Sequence, residues 1–211
     1  MMKAIMFDTW GTLLETGVFP SPVKEVKNIL RIEEPFHVFI TRFEETFMTN
    51  NFANLKEAFE AVCKAFDIPP RDFVIDKLIG MWNKNMLLAK PFPETIEVLT
   101  KLKKDYKLAL LSNTDPFSID PVLEKYELRK YFNVMAFSYE LGCLKTNAKM
   151  FEHVLRKLGV KKNEAIMVGD SIQSDIEPAE NAGIKAVLVD RHNRREHPNK
   201  ITTLVDIEKF L

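Results

Sequence analysis

The chain is short of several signatures that would narrow its role at once. It has two cysteines in 211 residues, Cys63 and Cys143, far apart and with no CxxC or Cys/His spacing. That speaks against a disulfide framework or a zinc site and suits reduced thiols in a cytoplasmic protein. There is no excess charge of either sign, since thirty Lys+Arg balance thirty Asp+Glu. Without a positive field to gather nucleic acid or an anionic membrane surface, small molecules are the expected partners. No apolar run approaches the roughly 20 residues of a membrane span. The apolar start ends after a few residues at Asp8. Internal repeats and low-complexity tracts are also missing. The expectation is a cytoplasmic protein with no nucleic-acid or membrane partner; monomer and homodimer both remain open.

What is present is enough apolar residue, 46% of the chain, to bury a sizeable core. Five short β-like runs stand out: Lys3 to Asp8, Lys107 to Asn113, Asn133 to Tyr139, Glu164 to Asp170 and Lys185 to Asp190. Most are continuously apolar, as strands buried on both faces are. Helical patterns separate them over Pro93 to Lys104, Asp120 to Lys125, Asn147 to Leu158 and Ser174 to Ala182, the last closed by Gly183. This alternation predicts an α/β fold with a doubly wound parallel sheet. The stretch from Pro20 to Lys90 differs in character. Stripes such as Phe36, Phe39, Ile40, Phe43, Phe47 and Leu55, Ala58, Phe59, Val62, Cys63, Phe66 recur at helical spacing. Prolines at 35, 69, 70, 91 and 93 punctuate it into about four helices. The expected organisation is an α/β core from residues 1–19 and 91–211, with a smaller all-helical cap from 20–90.

The acidic residues at strand ends carry the chemistry. Ala4 to Phe7 runs into Asp8-Thr9-Trp10-Gly11-Thr12, and Met167-Val168-Gly169 into Asp170, with Asp175 five residues on. A lone aspartate before a glycine turn is ordinarily a turn former. Two such strand ends could instead bring three carboxylates to one edge of a parallel sheet, and three carboxylates together want a cation. Between them lie Leu110-Leu111-Ser112-Asn113, an apolar strand ending in a hydroxyl and an amide, and Lys145 just ahead of a helix.

This ordered set resembles the haloacid dehalogenase superfamily of aspartate-nucleophile hydrolases, over nearly the whole chain including the helical insertion. The resemblance implies a Rossmann-like core under a helical cap. It makes Asp8 the nucleophile, gives Ser112 and Asn113 the substrate's anionic group, and sets Lys145 to steady both charges. Mg²⁺ would sit on Asp8, Asp170 and the backbone carbonyl of Trp10, with Asp175 supporting through water or from behind. The family usually has proline after this lysine; here Thr146 follows, which leaves Lys149 as a weaker candidate. A carboxylate attacking a phosphoryl group meets a dianion, so a metal and a lysine must neutralise charge. The product would be an aspartyl phosphate on Asp8, later cleaved by water.

Trp10 is the main departure. In the superfamily's phosphatases that position holds a second aspartate, the general acid for the leaving alcohol, a role tryptophan cannot play. The 2-haloacid dehalogenases carry tyrosine there, because a departing halide needs no proton. Asp170 and Asp175 point back to a metal, since a carbon electrophile gains nothing from two further carboxylates. The first reading is therefore a Mg²⁺-dependent phosphohydrolase for a small phosphorylated metabolite. The alternatives are a 2-haloacid dehalogenase or a catalytically weak Mg²⁺ and phosphate binding protein. Other residues read as structural: His37 and His153 within helices, and His192 and His197 in a solvated loop. Arg42 and Trp82 read as helix-face and packing residues, and Asp115 with Pro116-Phe117 as turn chemistry at the pocket rim.

Overall fold

The chain opens with strand β1 (Ala4–Phe7) and a two-residue strand β2 (Leu14–Glu15). It then passes through helices α1 (Pro22–Leu30), α2 (Phe36–Phe47), α3 (Leu55–Ala65) and α4 (Asp72–Leu88), and returns through β3 (Lys90–Pro91). From there helices and strands alternate: α5 (Thr95–Leu102), β4 (Lys107–Ser112), α6 (Pro116–Lys125), β5 (Val134–Phe137), a short α7 (Ser138–Leu141) and α8 (Ala148–Leu158). The chain continues with β6 (Ala165–Gly169), α9 (Glu177–Asn181), β7 (Lys185–Val189) and β8 (Lys200–Ile201), and ends in a 3₁₀ helix over Leu204–Phe210. The computed structural model describes all of residues 1–211.

Six strands form one parallel sheet in the order β5-β4-β1-β6-β7-β8. The interiors of its longer strands are apolar because helices cover both faces and successive side chains go to opposite sides. Ile5, Phe7, Leu108, Leu110, Ile166 and Val168 enter one buried cluster. Ala4, Met6, Ala109, Leu111, Ala165 and Met167 enter the other. Phe7 stands level with Leu110 on one side and Val168 on the other. The carboxyl ends of β1, β4 and β6 therefore finish together, with Asp8, Ser112-Asn113 and Asp170 at or just beyond them. Because β4 and β6 flank β1, strand order reverses here, which is where doubly wound sheets form a ligand crevice.

Three element boundaries differ from the sequence expectation. The strand through Tyr139 stops at Phe137, where Ser138 turns the chain into α7 and its Oγ accepts from Thr114 N at 2.9 Å. Helix α6 starts at Pro116 rather than Asp120, because the Asp115 side chain caps it by accepting from Ser118 N at 3.0 Å. The segment after Asp170 opens as a wide turn over Ile172–Ile176 before α9 begins. Strand β8, two residues long, is too short to leave a pattern in sequence.

Helices α1–α4 share an apolar cluster of their own, centred on Phe39, Phe43, Phe47, Phe59 and Trp82. Phe47 lies 5.0 Å from Phe59 and 4.9 Å from Trp82, ring centre to ring centre, distances at which aromatic pairs add to simple burial. Strands β2 and β3 pair antiparallel and bring together the chain leaving for the helices and the chain returning. Buried Asn85 of α4 reinforces this junction by accepting from Gly17 N at 2.8 Å and Val18 N at 3.2 Å through one side-chain oxygen. No helix is long and apolar enough to cross a membrane. Truncating Phe47 to alanine is expected to lower stability in urea unfolding by about 3–5 kcal/mol. Val38→Ala, on the exposed side of α2, is expected to stay within about 0.5 kcal/mol.

Candidate active site

Beyond the ends of β1, β4 and β6 lies a cavity of about 580 Å³, lined from below by the strand-end residues and from above by the helical segment. Asp8 is buried at its floor, with its backbone N–H donating to Val168 O at 2.9 Å. Its carboxylate is fixed at both oxygens: Lys145 Nζ donates to Oδ1 at 2.5 Å and Thr12 Oγ1 to Oδ2 at 2.9 Å. The same Nζ donates to Asp175 Oδ1 at 2.5 Å. Asp8 and Asp175 thus share one ammonium although they lie at opposite ends of the sequence.

Two glycines make this approach possible. A Cβ on Gly11, whose φ is +82°, would fall 2.3 Å from Asp170 Oδ2. A Cβ on Gly169 would fall 2.3 Å from Asp175 Cγ. Asp175 is further pinned by Ser171 N, which donates to Oδ2 at 2.9 Å. Asp8, Asp170 and Asp175 each offer an oxygen within 4.8 Å of the others. Burial, then Asp8 and Asp175, drive the Asp170 carboxyl well above the ordinary aspartate range. Burial lifts Asp175 to about 6 against the pull of Lys145. Burial also opposes the charge on Lys145, but Asp175 and Asp8 outweigh it and hold the ammonium above the usual lysine value. Lys145, with Arg195 acting on Asp170, faces two buried carboxylates and the half-buried Asp170, a group of hard oxygen donors that a small divalent cation suits.

The remaining expected residues separate. Asn113 is at the site, but its side chain is already engaged, accepting from Lys145 N at 2.9 Å and donating to Glu44 Oε2 at 3.1 Å. Ser112 is fully buried behind the cavity, and its Oγ has no hydrogen-bond partner. Trp10 lines the cavity and donates from Nε1 to Thr114 Oγ1 at 3.1 Å. Trp82 and Asp115 also line it, bonded to each other at 3.3 Å, and burial raises the Asp115 carboxyl to about 6. Arg42 sits elsewhere, paired with Glu34 and stacked on Phe66. Lys149 is exposed beside Glu152 and His153, away from the cavity. His192 lies on the rim, on a loop but in reach of the site.

Three site residues escape sequence reasoning. Thr12 holds the nucleophile candidate from four residues away. Arg191 follows the end of β7 and fastens the turn after Asp8, donating to Thr12 O at 2.6 Å and Gly11 O at 3.3 Å while paired with Glu94 at 2.7 Å. Its one signal is its position at the same carboxyl edge as the other site residues. Glu44 reaches down from α2, and burial raises its carboxyl to about 7 against the pull of Lys145. Its signal is an acid interrupting the apolar face of Phe36, Ile40 and Met48.

A family model for haloacid dehalogenase-like hydrolases matches residues 2–183. The chain belongs to this family. It is an enzyme of the hydrolase class, built on the superfamily's Rossmann-like sheet. Among curated relatives, the glyceraldehyde 3-phosphate phosphatase of Methanothermobacter thermautotrophicus is 28% identical over 224 residues, covering 100% of this chain and 98% of that protein. The protein of the same name from Methanocaldococcus jannaschii is 24% identical, covering 100% and 99%. Two solved structures share the fold. A HAD phosphatase from Thermococcus onnurineus has TM-score 0.64 at 23% identity, and a 2-haloacid dehalogenase from Pseudomonas syringae has 0.67 at 20%, each covering 99% of this chain and 97% of the other. Phosphatase and dehalogenase thus lie equally near in shape, and only side chains can separate them. For this hydrolase, Gly169→Ala is expected to lower stability in denaturant unfolding by about 1–3 kcal/mol through overpacking. Gly80→Ala on α4, where a Cβ meets nothing within 4 Å, should instead be neutral or stabilising.

Proposed function

We propose that this hydrolase is a Mg²⁺-dependent phosphohydrolase acting on a small phosphorylated metabolite, with Asp8 as nucleophile and an aspartyl phosphate as intermediate. The observation that carries this reading is the grouping of Asp8, Asp170 and Asp175 within 4.8 Å around one lysine. Such a set repels an anionic substrate until a cation joins it. Asp8, Asp170 and the Trp10 carbonyl would hold the ion, with Asp175 supporting from behind. The turn after Asp8 favours this use of Trp10: its bonds run from Gly11 N to Leu14 O and from Leu13 and Leu14 N to Thr9 O, passing over the Trp10 carbonyl. When bound, Mg²⁺ would neutralise charge on the phosphoryl oxygens.

The chain's own residues do the rest. Thr12 and Lys145 fix both oxygens of Asp8, so its attack direction is set before substrate arrives. Lys145 also offers positive charge to the transferred group. The helical segment of residues 20–90 acts as the cap that closes the cavity and selects the substrate. Full-length similarity to proteins named glyceraldehyde 3-phosphate phosphatase supports a substrate of triose phosphate size. A dehalogenase reading has Trp10 in its favour. Against it stand Asp170 and Asp175, carboxylates that a halide displacement does not use and that would repel a haloacid's own carboxylate.

Release of nitrophenolate from para-nitrophenyl phosphate tests the proposal, because this leaving group makes no demand on a missing acid. Turnover should require Mg²⁺, stop with chelator and vanish in Asp8→Asn. Turnover that survives Asp8→Asn would remove Asp8 as nucleophile, and halide release from a 2-haloacid in its place would establish the dehalogenase.

A further inference from the structure

With Trp10 two residues beyond Asp8, the strand end that presents the nucleophile presents no proton donor to a leaving alcohol; the indole N–H is already given to Thr114. Across the cavity, α2 lowers one acidic side chain into the same space. Glu44 lines the cavity, its Oε2 accepts from Asn113 Nδ2 at 3.1 Å, and its Oε1 has no hydrogen-bond partner in the protein. Asn113 in turn accepts from the backbone of Lys145, the residue bonded to Asp8. Two hydrogen bonds and one residue therefore connect the Glu44 carboxyl to the lysine that holds the nucleophile.

We propose that Glu44, carried over the site by the helical segment, is the catalytic acid that protonates the departing oxygen in place of the aspartate that Trp10 replaces. This rests on the phosphohydrolase reading. In the first transfer the bond from Asp8 oxygen to phosphorus forms and the bond from phosphorus to the ester oxygen breaks. The electron pair of the broken bond goes to the ester oxygen, which takes the Glu44 proton and leaves as an alcohol. In the second transfer the Glu44 carboxylate takes a proton from water as the water oxygen attacks phosphorus and frees Asp8, which returns Glu44 to its acid form.

The surroundings suit a carboxyl that keeps its proton near neutrality. Burial raises it to about 7; Lys145 and the Asn113 amide pull it down, while Asp175 and Asp8 push it up. A neutral Glu44 also admits a phosphate dianion that a carboxylate would repel. Delivery from the helical segment couples acid catalysis to cap position, so the proton donor is in place only when the cavity is covered.

The test compares kcat/KM, which reports the first transfer, for wild type, Glu44→Gln and Glu44→Asp on glycerol 3-phosphate and para-nitrophenyl phosphate with Mg²⁺. Glu44→Gln should lose roughly 10²- to 10⁴-fold on the alkyl ester, the span of general acid catalysis, and far less on the aryl ester. Glu44→Asp should recover part of the alkyl loss. Wild-type kcat/KM on the alkyl ester should fall as pH rises past about 7, as the acid loses its proton, and that limb should vanish in Glu44→Gln. Equal losses on both esters would make Glu44 a structural prop and overturn the inference, as would wild-type activity confined to the aryl ester. Neither of those outcomes touches the phosphohydrolase reading. Wild type inactive on both esters would remove that reading, and the inference with it.

Discussion

The contact between Lys145 Nζ and the carboxylates of Asp8 and Asp175 is the arrangement on which the rest of the site depends. A charge buried this deeply is tolerated only when paired and hydrogen-bonded. Removing Lys145 would leave the buried Asp8 and Asp175 carboxylates without their shared counter-charge. The contact needs several separate pieces of backbone to hold still. Asn113 fixes the Lys145 main chain, Ser171 N fixes Asp175, Thr12 fixes the free oxygen of Asp8, and Gly169 gives Asp175 room to lie against β6. Even so, one ammonium does not balance three carboxylates. Burial, with repulsion from Asp8, raises the Asp170 and Asp175 carboxyls, the setting that a small divalent cation relieves.

The sheet and the helical segment contribute differently. Parallel register places the strand ends at one level and lays the floor of the cavity. The helices supply its roof, and they are held by the β2–β3 pair and by Asn85 at the junction. Roof and floor also communicate through polar side chains. Glu44 meets Asn113, and Trp82 meets Asp115. Leu144, next to Lys145, packs into the helical cluster rather than the sheet's own core. The lysine is therefore positioned by both parts of the molecule, which links its geometry to how the helices sit. Trp10 fits the same division: its indole fills the wall toward Thr114, and the acids that face the cavity away from the floor come from the roof and its contacts.

Much of this is legible in the order of the amino acids. Continuous apolar runs ending in acidic or small polar residues mark buried parallel strands, because burial on both faces forbids alternation. The residues that stop such runs, Asp8, Asn113 and Asp170, fall at the carboxyl edge as a matter of chain geometry. Repeating phenylalanines at helical spacing mark α2 for a similar reason, since one face must be apolar to pack. Fold class, the edge at which the chemistry sits and the Asp8, Asp170 and Asp175 carboxylates available to it follow from these local patterns. How those residues are used follows only from the folded arrangement. Whether Asn113 is free or engaged, that Ser112 lies behind the cavity, that Lys145 bonds Asp8 and Asp175 at once, and that Glu44 and Arg191 belong to the site are facts about distances between segments 30 to 180 residues apart. Local pattern encodes which face a side chain occupies; it carries no measure of what meets that face from the far end of the chain.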